Sequence, residues 1–134
     1  MKLIHVGIIV DNLDEAKSLF EKLLNTKAGD VQSPPDGSMK AVMINFDDGS
    51  GIELIQPVDP QVSSAKYLKE KGTGVHHICF QVDNADEALE TASRNGFKLR
   101  DQKSHPSRMF SDHQIGFLDP ESTKGIVVEF LQSI

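Results

Sequence analysis

A chain of 134 residues with 38% hydrophobic and 25% charged side chains has the makeup of one compact globular domain. Its 20 acidic against 14 basic residues leave a net charge of −6, which excludes a basic stripe for nonspecific nucleic-acid binding. The single cysteine, Cys79, cannot close an internal disulfide, no apolar run approaches the ~20 residues of a membrane span, and no small-residue cleavage site follows the first apolar stretch. A cytoplasmic protein that does not meet the membrane is expected.

In chain order, Ile4–Val10 is a β-rich run bounded by turn residues and predicts a strand. Asn12, three residues before Glu15, suits a helix N-terminus, and Ala16, Leu19, Phe20, Leu23 and Leu24 then recur at helical spacing as the expected buried face. Pro34-Pro35-Asp36-Gly37 and Asp47-Asp48-Gly49-Ser50 read as turns flanking strands at Met39–Phe46 and Gly51–Ile55. Pro57–Pro60 reads as a linker, with a short helix at Ser63–Lys71. His76–Val82 predicts a strand. A helix follows from Asn84 through Ala88, Leu89 and Ala92 to Gly96, with added strands at Phe97–Leu99, Gln114–Leu118 and Ile126–Leu131.

The chain repeats itself. HVGIIVDNLDEA at 5–16 and HICFQVDNADEA at 77–88 agree at seven of twelve positions, 72 residues apart; IELIQ at 52–56 matches VEFLQ at 128–132, 76 residues apart. Two matches in the same order point to duplication of one βαβββ module. The expected fold is α+β: one domain over 1–134, with module one at about 1–57, a linker and short helix at 58–73, and module two at about 74–134. Its sheet should be curved and mostly antiparallel, around a metal site.

Alternation along a strand separates its faces. Ile4, Val6, Ile8 and Val10 form one apolar face, and His5 lies on the other. In the repeat, Ile78, Phe80 and Val82 take the packed face with His76, which selects His77 as the counterpart of His5. Glu53 lies opposite Ile52 and Leu54, as Glu129 lies opposite Val128 and Phe130. A lone His or Glu on a strand is usually an ordinary surface or core residue. Here both recur at equivalent positions away from the apolar set. A buried carboxylate without a partner costs several kcal/mol, and one divalent cation held by His5, Glu53, His77 and Glu129 removes that cost for both acids. Cys79 is expected beside His77 as a space-filler, and His105 and His113 as surface loop residues.

HVGIIV, IELIQP at 52–57, YLKEKGTGVHHICFQVDN at 67–84 and GIVVEFL at 125–131 resemble the vicinal oxygen chelate superfamily, which includes glyoxalase I, and are most similar to its methylmalonyl-CoA epimerase branch. That resemblance implies two βαβββ modules closing around one metal per chain, in homodimers, with the ligands on His5, Glu53, His77 and Glu129. It also implies a catalytic acid in the loop ahead of the second strand, where the nearest candidate is Asp36. This chain departs from the epimerase pattern at His105–His113, in place of a glycine-rich loop, and at Phe117-Leu118-Asp119-Pro120, in place of Phe-Leu-His-Pro.

Nitrogen and oxygen ligands suit Co, Ni, Zn, Mn or Fe as the divalent ion. The expected activity is epimerisation next to a thioester carbonyl, which needs two acid/base groups: Asp36 and Glu129, the latter doubling as a ligand. The expected substrate is a small molecule, an acyl-CoA or a glutathione adduct. The rival enzyme is a glyoxalase I-type lyase on a glutathione hemithioacetal, and a third reading is a ligand-sequestering or resistance protein. Lys40, Lys66, Lys71, Arg108 and Lys124 are the scattered cations available to coenzyme A phosphates.

Overall fold

The computed structural model describes residues 1–109 and 112–133. Contacts divide them into two compact units, His5–His76 and a second made of Met1–Ile4 with the chain from His77 onward.

In the first unit, β1 (Lys2–Ile9) leads into α1 (Leu13–Leu24), then β2 (Met39–Asn45) and β3 (Gly51–Pro57). The strands lie in the order β2-β3-β1, with β1 parallel to β3 and β2 antiparallel to β3. Gln32 forms an isolated bridge to Ala41 and stands where a further edge strand would be. The helix starts where local chemistry supplies acceptors for its orphan N–H groups: Asn12 Oδ1 takes the Glu15 N–H at 3.0 Å, and Gln56 Oε1 takes that of Leu13 at 2.8 Å. It buries Leu13, Ala16 and Phe20 against Val10, Val42, Ile44 and Leu54. After β3, α2 (Ser63–Lys71) coincides with the expected short helix.

The second unit repeats this plan. β4 (Gly74–Gln81) leads into α3 (Ala85–Arg94), then β5 (His105–Pro106), β6 (His113–Phe117), a 3-10 turn at Pro120–Ser122, and β7 (Val127–Ser133). The order is β4-β7-β6-β5, with β4 parallel to β7 and the other two pairs antiparallel. Asn84 Oδ1 accepts from the Glu87 N–H and Gln132 Oε1 from that of Ala85, at 3.0 and 2.7 Å, as Asn12 and Gln56 do in the first copy. One face of the sheet carries Phe130, Leu118 and Val128 against Leu89 and Ala92 of α3. The other gathers Cys79, Ile115 and Leu131, with Ile4 and Phe117 packed beside them. Antiparallel pairs thus outnumber parallel ones within the units, and a parallel pair joins the first and last strands of each copy.

Three expectations change. The helical stripe of α1 is narrower than its spacing suggested: Leu19, Leu23 and Leu24 are exposed, because Leu13, Ala16 and Phe20 at three- and four-residue intervals already fill the contact with the sheet. Phe97–Leu99 is not a strand; only Leu99 bridges Leu118. His105 and His113 lie in β5 and β6 rather than in a loop, and both are partly covered. Of the 105–113 segment, Phe110 and Ser111 lie outside the described residues.

Candidate functional site

Each unit brings one histidine to one glutamate. In the first, β1 and β3 run parallel with Gly7 beside Glu53 and His5 beside Gly51, so His5 and Glu53 stand on the same face of neighbouring strands. Their side chains meet with His5 Nε2 3.6 Å from Glu53 Oε1. In the second, Cys79 is the register partner of Glu129 and His77 that of Val127, the same relation one copy later. His77 Nε2 lies 3.4 Å from Glu129 Oε2. All four residues are buried.

Both separations exceed the 2.7–3.2 Å of a good N–H···O bond. Two donors bound to one ion at about 2.0–2.2 Å stand roughly 3.0–3.5 Å apart, so each pair has the spacing of adjacent ligands. The donor chemistry fits as well: imidazole nitrogen and carboxylate oxygen suit a first-row divalent ion.

The setting of each pair follows from the strands. Met43 is the register partner of Glu53, and Met39, Ala41 and Met43 share its face, which makes an apolar wall. Phe117 is the partner of Glu129, and Ile115, Leu131 and Cys79 complete that face. Such walls exclude water and strengthen charge interactions beside them. Gly51 has a steric role: a Cβ there would stand 2.6 Å from the Ile44 carbonyl oxygen.

The other candidates make contacts of their own. His76 packs edge-on against Tyr67, with ring centroids 5.0 Å apart, and the Tyr67 hydroxyl donates to the Val75 carbonyl at 2.9 Å. Asp36 Oδ1 accepts the Ser38 N–H at 3.0 Å, which holds its carboxyl on the turn before β2. His105 Nε2 lies 3.4 Å from Asp101 Oδ2, and His113 Nδ1 2.8 Å from Asp112 Oδ1. Sequence reasoning missed two features. One is the pair Gln56 and Gln132, whose signal was the glutamine ending both IELIQ and VEFLQ. The other is Arg100, whose guanidinium carbon lies 4.0 Å from the Phe117 ring centroid.

Residues 4–117 match the Glyoxalase/Bleomycin resistance protein/Dioxygenase superfamily. The chain belongs to this superfamily. Among its relatives, the ethylmalonyl-CoA/methylmalonyl-CoA epimerase of Cereibacter sphaeroides is 27% identical over 132 residues, covering 98% of this chain and 97% of that protein. The methylmalonyl-CoA epimerase of Mycobacterium tuberculosis superposes with a TM-score of 0.87 at 22% identity, over 98% of this chain and 87% of the other. That of Streptomyces coelicolor, in complex with 2-nitronate-propionyl-CoA, gives 0.86 at 23% over 99% and 94%. The fold of this superfamily member is therefore the vicinal oxygen chelate fold. Among the described residues, no helix is long and apolar enough to cross a membrane.

Proposed function

We propose that this superfamily member is a divalent-metal-dependent epimerase, acting by proton abstraction next to a thioester carbonyl on a methylmalonyl-CoA-like substrate. The observation that carries the reading is the repeated His–Glu pair. A buried carboxylate beside a buried imidazole occurs once per module at equivalent strand positions. We infer that His5, Glu53, His77 and Glu129 together hold one ion. When bound, such an ion supplies positive charge that favours negative charge building on a carbonyl oxygen.

The chain's own residues do the rest. Glu129 serves as acid/base on one side of the acyl carbon and Asp36 on the other, since inversion takes a proton from one face and returns one to the opposite face. The apolar faces of Met39, Ala41 and Met43 beside Glu53, and of Ile115, Phe117 and Leu131 beside Glu129, limit water at those carboxylates. Similarity to epimerases across nearly the whole chain supports this reading over a glyoxalase I-type lyase.

The test is deuterium incorporation at the α-carbon of methylmalonyl-CoA in heavy water with added Co²⁺, run beside conversion of a glutathione hemithioacetal. Exchange with the thioester and no hemithioacetal turnover is expected. The reverse outcome replaces the epimerase with the lyase.

A further inference from the structure

The two copies share a backbone plan but differ beside their glutamates. In the first, the Gly29 N–H donates to the carbonyl of Met43, the strand partner of Glu53, at 2.9 Å. In the second, the Arg100 and Asp101 N–H groups donate to the carbonyl of Phe117, the strand partner of Glu129, at 3.0 and 3.1 Å. One glycine thus makes this contact in the first copy, and Arg100 and Asp101 share it in the second.

The Arg100 side chain lies over the Phe117 ring, and that ring shares a face with Glu129. Its neighbours in charge are committed elsewhere. Lys98 Nζ is 2.7 Å from Glu121 and 3.7 Å from Asp119, and Lys103 Nζ is 3.8 Å from Glu90. The Asp101 carboxylate accepts the Phe117 N–H at 2.9 Å. Of the cations on this segment, Arg100 alone is held by an aromatic face and by no carboxylate among the described residues. A guanidinium fixed in this way keeps its N–H fork for a planar or tetrahedral oxyanion.

The geometry points to Arg100 as a substrate-recognition residue that receives an anionic oxygen group of the acyl-CoA, a carboxylate or a phosphate, on the Glu129 side. The inference rests on the proposed epimerase reading and adds a direction to it. A substrate whose ends differ needs a residue that fixes which way it lies, and the Arg100 guanidinium on the Glu129 side is such a residue.

The experiment measures α-proton exchange by wild type, Arg100→Met and Arg100→Lys in heavy water with Co²⁺. Methylmalonyl-CoA is compared with a short methylmalonyl thioester of N-acetylcysteamine, which keeps the carboxylate and lacks the phosphates. Methionine retains apolar contact with the Phe117 ring and removes the charge. Arg100→Met should raise KM by about tenfold or more with kcat and the melting temperature little changed, and Arg100→Lys should recover part of the loss. A rise with both substrates assigns the carboxylate as the anion; a rise with the CoA thioester alone assigns a phosphate. KM within twofold of wild type on both substrates overturns the role of Arg100 and leaves the epimerase standing. No exchange by the wild type on either thioester removes the epimerase reading, and this inference with it.

Discussion

At the scale of single residues, the His–Glu pairs dominate. His77 and Glu129 are buried at 4% and 7% exposure, so neither is available as a casual surface ligand. Glu129→Gln keeps the shape and removes both the negative charge and the proton acceptor. We expect it to lower exchange by about 10²-fold or more while the bound metal per chain also falls, read by elemental analysis of the dialysed protein. Asp36→Asn separates two roles. An amide oxygen can still accept the Ser38 N–H and preserve the turn, so the melting temperature should hold, while exchange should fall by about 10²-fold if the carboxyl moves a proton. Gly51→Ala tests the close approach of β3 to the β2 backbone at Ile44. The added methyl meets backbone rather than a flexible side-chain end, and a loss of about 2 kcal/mol or more in denaturant unfolding is expected.

At the scale of elements, α1 and α3 are each tied to the last strand of their own copy by a glutamine. Gln56 and Gln132 take the N–H groups of Leu13 and Ala85, the first residues of α1 and α3. They also follow Glu53 and Glu129 by three residues, so one strand carries both a candidate ligand and the acceptor that seats the helix. Gln56→Ala and Gln132→Ala should each cost about 1 kcal/mol, measured by thermal unfolding, with near-additive effects in the double variant because the two contacts belong to separate units. Much of this layer was legible in the sequence. Asn12 and Asn84 announced both helix starts, and period-two alternation gave the faces of the strands. The exposed Leu19 and Leu23 were not legible, because helical spacing identifies an apolar stripe but not how much of it a sheet can cover.

At the scale of the whole molecule, the proposed ion would link folding to metal. A ligand that binds only the folded chain stabilises it by about 4 kcal/mol at a thousand times its Kd. Removing divalent ions with a strong chelator should therefore lower the melting temperature by several degrees, and adding Co²⁺ back should restore it. Glu53→Gln/Glu129→Gln should abolish that response.

That His5 and Glu53 share a strand face, and His77 and Glu129 likewise, could be read from the order of residues because it depends on strand periodicity, whereas the superfamily was expected from the resemblance of whole motifs. The tertiary structure decided which backbone groups the glutamines satisfy, where His76 rests, and that Arg100 lies over Phe117. Those contacts join residues distant along the chain, through side-chain directions set by strand register and by helices packed across the sheet, and no local pattern carries that information.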